Sequence, residues 1–167
     1  VLKATYRLLA SMDGFDTDAL TDLMLAYLQR RGREQAEGAG RPFFAAVSYF
    51  APHDPYIAPA RWLRRYRPGD MRLRPNVPDV RGWQAQRRCD LAGYCAMVEQ
   101  IDHNVGRIVR LLERTGQLAR THVLYFSDHG DMLGSHGLLR KGVPHEEALR
   151  IPLIVGGETS RYSDWDG

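Results

Sequence analysis

Four residues, in two widely separated stretches, carry the groups that metal-assisted ester chemistry requires: His53, the adjacent pair Asp128 and His129, and Lys141. A carboxylate suits hard cations such as calcium or magnesium, whereas an imidazole beside it leans towards zinc or manganese. In a regular strand Asp128 and His129 would face opposite ways. Gly130 follows them and permits a tight turn through which both can aim at one ion. An Asp-His dipeptide is more often incidental than ligating. What favours a metal here is its place after a buried strand and before a glycine-punctuated loop. His53 lies in Pro52-His53-Asp54-Pro55, where the prolines restrict the backbone on either side. It is suited to bind an anion or donate a proton, the plain alternative being a histidine that satisfies loop carbonyls. Lys141 stands out because Lys3 is the only other lysine, every other cation being arginine. A compact ammonium can approach one ester oxygen where a guanidinium fork would not fit; a chance lysine in an exposed loop is the alternative. His136, in Ser135-His136-Gly137, reads equally as a pocket wall or a loop hydrogen-bonding group.

These residues need elements to hold them. Pro42 to Phe50 and Thr121 to Ser127 are short apolar runs rich in aromatic and β-branched residues, the pattern of buried strands in a parallel sheet. Each breaks directly into the candidate residues, and ligands in open α/β sheets lie beyond the carboxyl ends of strands. Ile151 to Val155 reads as a third strand. A helix is expected over Ala19 to about Arg31, capped by Thr17 or Asp18, followed by a polar, glycine-rich surface loop from Gly32 to Gly40. The strongest helical periodicity runs from Arg88 to Gly116, with Leu91, Cys95, Val98, Val105 and Leu112 on one face and Gly116 as the stop. Between Ala51 and about Gln86 no period is sustained and prolines recur, so a long irregular excursion is expected. The order predicts an α/β domain with parallel strands.

Composition narrows the class. The 167 residues suffice for one domain, and 44% hydrophobic with 26% charged residues is ordinary for a globular protein. No apolar stretch approaches the roughly 20 residues that span a bilayer. The first residues lack a signal-peptide pattern and an initiator methionine, so a piece of a longer protein is expected. Arg61, Arg64, Arg65, Arg67, Arg72 and Arg74 are interrupted by proline and glycine, which favours a solvated rim over a nucleic-acid surface. Cys89 and Cys95 are six apart on the expected helix, poorly placed to bridge, and are expected to be buried. Asp102 falls on the apolar side of that helix, where burial would require a partner.

Taken together, the chain resembles the sulfatase family within the alkaline-phosphatase-like superfamily. The resemblance rests on PFFAAVSYFAPHDPY, on GYCAMVEQIDHNVGRIVRLLERTG and on THVLYFSDHGDMLGSHGLLRKGVPHEEALRIPLIV. GDMLG is similar to the choline-sulfatase and phosphonate-monoester-hydrolase branch. The resemblance implies an alkaline-phosphatase-like sandwich, a mostly parallel sheet flanked by helices, of which residues 1–167 would be an internal portion. It implies that Asp128 and His129 ligate one divalent metal ion, calcium first, with manganese, magnesium or zinc as alternatives. His53 and Lys141 would bind the sulfate and assist the leaving oxygen, with His136 as a further substrate-binding candidate. The family nucleophile is a formylglycine made from cysteine in a C-x-P/A-x-R setting, which neither Cys89-Asp90-Leu91-Ala92-Gly93 nor Cys95-Ala96-Met97-Val98-Glu99 matches. The nucleophile is therefore expected in an N-terminal part outside this chain, and the chain alone is expected to be inactive. Three readings follow: a fragment of a sulfuric ester hydrolase, a phosphonate monoester hydrolase or phosphodiesterase of the same superfamily, or a non-catalytic domain that binds an anion or a partner. The expected partner is a small sulfate, phosphonate or phosphate ester. Compartment and oligomeric state are left open.

Overall fold

Helix α1 spans Asp16–Ala36, and its first turn carries Asp16 and Asp18, whose charges complement the exposed N–H groups there. The computed structural model describes residues 15–80 and 82–157. The helix begins earlier and runs longer than its periodicity suggests, because the polar residues after Gly32 continue it to Ala36. Its N-cap is Phe15, with Thr17 already inside the first turn and buried. A one-turn helix, α2, spans Ala60–Leu63, and α3 spans Trp83–Arg114, starting before the expected Arg88. Gly116 ends α3 as the sequence suggests. It takes φ +67°, its N–H donates to the Glu113 carbonyl, and the N–H of Gln117 donates to that of Leu112. This pairing satisfies carbonyls that a helix end leaves open, and it needs a residue free of a Cβ penalty at the turn.

The core has two centres. Ala51, Ala58, Trp62, Ala96, Met97 and Ile101 form one, and Leu28, Leu111 and Leu112 the other. Strand β1, His122–Phe126, alternates in burial and joins them: Tyr125 packs on the first cluster and Val123 on the second. Between α1 and α3 lies a polar clasp. Fully buried Asn104 donates to Asp18 at 2.8 Å, and Arg107 donates to Asn104 at 2.9 Å and to Asp22 at 2.5 Å. Such buried polar groups are tolerated because they are paired.

The expected mostly parallel sheet is not found. Among the described residues the fold is mostly helical, with one two-stranded antiparallel sheet of β1 and β2, Leu153–Gly157, in register His122↔Gly157 to Phe126↔Leu153. A parallel pair needs a crossover of a dozen or more residues, usually helical, that returns the chain to the starting edge. The connection here holds only the Ser135–Gly137 3₁₀ turn and a one-turn helix, α4, Glu146–Leu149, so the chain re-enters running the other way. Pro42 to Phe50 joins no ladder either, and Phe44 is 91% exposed. Its composition suits a strand, and Phe43 and Tyr49 share core clusters with Val123 and Tyr125 of β1, but it is not part of the sheet.

Other expectations divide. The Ala51 to Gln86 excursion is irregular apart from α2, a 3₁₀ turn at Pro68–Asp70 and the start of α3. The arginine rim is exposed and tied to neighbouring helices by Arg61 to Asp18 and Arg65 to Glu99. Cys89 is exposed rather than buried, Cys95 is half-buried, and both thiols are free. Asp102 is exposed; the buried polar residues of α3 are Arg87, Gln100 and Asn104. No described helix is long and apolar enough to cross a membrane.

Candidate active site

His53 follows the Pro42 to Phe50 run in a turn closed by its own N–H to the Phe50 carbonyl, and its ring rests 4.6 Å from that of Phe50. Its Nδ1 lies 2.8 Å from the Asp54 carbonyl oxygen, which can only accept, so Nδ1 carries the proton. Nε2 is left with a lone pair, and Lys141 Nζ donates to it at 2.6 Å. The neighbouring Arg140 donates to the Asp54 carboxylate at 2.9 Å. Two consecutive residues of one loop thus dock onto two consecutive residues of the other.

The Asp-His pair lies beyond the end of β1. His129 directs Nδ1 to the Gly130 carbonyl at 2.7 Å, which leaves Nε2 free, 3.6 Å from Asp128 Oδ2. The other Asp128 oxygen accepts the His129 N–H at 3.0 Å. The His129 ring stands edge-on to His53, centroids 6.5 Å apart. His53, Lys141, Asp128 and His129 are therefore brought together. The donors suit a divalent ion: the ring tautomer of His129 is held by a backbone carbonyl, as ligating histidines require, and Asp128 has an exposed carboxylate.

Gly130 is needed for a reason other than the expected turn. A Cβ there would run into the carbonyl of Glu147, and the Gly130 N–H donates to the Ala148 carbonyl at 2.8 Å. Two residues omitted from the sequence reading brace the same loop. Tyr56 donates to Asp131 Oδ2 at 2.9 Å, while Asp131 Oδ1 accepts the Leu133 N–H. Burial, then the Asp131 charge, push the Tyr56 phenol well above its ordinary range. Beyond it, Leu133, His136 and Arg140 take φ of 45, 56 and 64°. A non-glycine residue in that region costs about 1–3 kcal/mol, so the surroundings must enforce the path. A cavity of about 330 Å³ opens beside His53, lined also by Phe50, Ile57, Met97 and Gln100; Lys141, Asp128 and His129 do not line it.

His136 has different company. Its ring stacks on His145 at 4.5 Å, and its Nε2 accepts from Asn76 Nδ2 at 3.0 Å. The same amide nitrogen donates to Glu147 Oε1 at 2.7 Å. That bond, followed by one from the backbone of Glu147 itself, holds the carboxyl down at about 2, so it is ionised. His136, His145 and Glu147 each offer a ligand atom within 4.8 Å of the others, enough to hold a metal ion. His145 and Glu147 were assigned no chemistry from sequence. Their spacing across the start of α4 was the one available signal, and nothing local joined them to Asn76.

A model of the family described as Sulfatase matches residues 3–160. A multifunctional alkaline phosphatase superfamily protein, PehA, of Trinickia caryophylli is 30% identical over 84% of this chain and 32% of its own. The choline-sulfatase of Rhizobium meliloti is 31% identical, covering 78% of this chain and 29% of its own. Among solved structures, a phosphonate monoester hydrolase from Silicibacter pomeroyi superposes with a TM-score of 0.71 at 26% identity, over 86% of this chain and 33% of that one. A Bacteroides fragilis protein proposed to be the sulfatase YidJ gives 0.77 at 26% identity, over 88% of this chain and 32% of that one. The chain spans about a third of the length of these relatives, or less.

Proposed function

The chain belongs to the sulfatase family, and from that premise we propose that the intact protein hydrolyses sulfuric esters with metal assistance at a site shared by His53, Lys141, Asp128 and His129. One observation carries this reading: Lys141 Nζ lies 2.6 Å from His53 Nε2, with the His129 ring beside them. Lys141 would bind an oxygen of the esterified anion as a point charge, releasing His53 Nε2, which would take a proton from solvent and pass it to the departing oxygen. Arg140 and the Asp54 carbonyl and carboxylate would keep that imidazole oriented. Asp128 and His129 would hold a divalent ion, calcium first by resemblance, which supplies Lewis-acid stabilisation of negative charge on the transferred group. The formylglycine nucleophile would come from residues other than these. A second reading, a phosphonate monoester or phosphodiester hydrolase, is favoured by the likeness to PehA and to the Silicibacter pomeroyi enzyme.

The test is a comparison of aryl sulfate and aryl phosphonate monoester turnover by the intact, metal-loaded protein. Faster sulfate turnover supports the first reading, and faster phosphonate turnover the second. Lys141→Ala is expected to lower kcat on the better ester by about 10²–10³-fold, with stability within about 0.5 kcal/mol of the parent because Lys141 is exposed. Unchanged kinetics would remove Lys141 from the site. Turnover of neither ester would favour a non-catalytic domain that binds an anion or a partner.

A further inference from the structure

We propose that His136, His145 and Glu147 form a second, structural metal site for a zinc-like divalent ion, separate from the Asp128–His129 pair. Two imidazoles and one carboxylate select a borderline transition ion over calcium or magnesium, which prefer all-oxygen shells. The donor atoms already stand within 4.8 Å of one another. The two rings stack at 4.5 Å with 17° between their planes, so a rotation of one of them would bring both in-plane lone pairs onto one ion. His136 Nε2 accepts from Asn76, so its lone pair points into the cluster.

Asn76 supplies a second, independent observation. One amide nitrogen donates to both His136 Nε2 and Glu147 Oε1, so it occupies the place between two ligand atoms that a cation would take. Its Oδ1 is buried and has no hydrogen-bond partner. A buried acceptor left open is unfavourable and calls for an explanation. Turning the amide over would release both lone pairs and present Oδ1 to the ion. Two nitrogens and two oxygens would then complete a closed four-coordinate shell, the form of a structural rather than a catalytic site.

The site would fasten three pieces of chain that no regular element joins. Asn76 belongs to the irregular excursion, His136 to the 3₁₀ turn, and His145 and Glu147 to the start of α4. His136 already bonds Asn76 through the backbone at 2.9 Å and holds its φ of 56°. The ion would thus lock the loop between the Asp-His pair and Lys141.

The experiment uses the intact protein carrying Asp128→Asn and His129→Gln, so that the other pair cannot contribute. It is stripped with chelator, titrated with zinc chloride by calorimetry, and titrated separately with cobalt(II) under visible absorption. A zinc site that persists and a tetrahedral cobalt spectrum are expected. His145→Phe keeps the ring stack but removes the ligand nitrogen. It should weaken zinc binding by more than the roughly 10–100-fold that loss of a supporting partner costs. Glu147→Gln should do the same; if that variant does not fold, His145→Phe decides alone. Failure to take up zinc or cobalt in the parent background, or uptake unchanged by His145→Phe, would overturn the proposal. These readouts are independent of ester turnover, so they can fail without touching the proposed function.

Discussion

His53 and Lys141 show how one side chain sets the state of another. The ammonium donates to the imidazole nitrogen, so His53 cannot also carry a proton there while that bond stands. The tyrosines show the same dependence on surroundings. Burial is the first cause that raises the phenols of Tyr49, Tyr56, Tyr94 and Tyr125 above their ordinary 10.0, and Asp131 adds to it at Tyr56 and Tyr94. The folded chain keeps these protons at a pH where the unfolded chain releases them. Their contribution to stability is therefore fully present below pH 10.0 and falls as pH rises through the higher folded values. Urea midpoints measured across this range should drop above pH about 10, with the share of the phenolate absorbance band that belongs to these four tyrosines appearing only as native circular dichroism is lost. Tyr56→Phe should flatten that alkaline limb. Ionisation of all eight tyrosines at ordinary pH in a still-native protein would contradict this account.

At the scale of elements, close approach matters more than propensity. Gly130 sits against the Glu147 carbonyl and pins the Asp-His loop to α4. Gly130→Ala forces backbone apart, and overpacking of this kind costs about 1–3 kcal/mol. The expected result is a lower urea midpoint at unchanged slope; a midpoint equal to the parent's would mean that the loop yields freely. Helix signals proved readable where they act locally. The periodicity of α3 and the stop at Gly116 were legible because each depends on neighbours within one or two turns. The Pro42 to Phe50 run misled for the opposite reason: apolar composition records a need for cover but not which segment supplies it. The pairing of β1 with β2 was likewise misread, since its direction depends on the path of the whole connection.

The whole molecule carries considerable uncovered apolar surface. Phe44 is 91% exposed, Leu153 67% and Phe126 63%, and the last two are partners across the sheet. Contiguous patches of this kind drive association. The 167-residue chain, expressed by itself, should bind a hydrophobic dye and scatter light as larger species. Phe126→Lys with Leu153→Lys should reduce both signals. A monodisperse monomer that ignores the dye would show that the patch is covered in solution.

The amino-acid order alone determined which groups with chemistry to offer stand where: His53 between its prolines, the Asp128–His129 pair beyond an apolar run, and Lys141 among arginines. It also determined the two long helices, because 3.6-residue periodicity and the glycine stop are short-range, although the cap expected at Thr17 or Asp18 falls at Phe15. Only the tertiary structure decided which groups meet. Lys141 reaches His53, Tyr56 reaches Asp131, and Asn76 joins His136 to Glu147 through loops that close over long stretches of chain. Those closures are set by helix packing and the two core clusters, to which no local window of sequence has access.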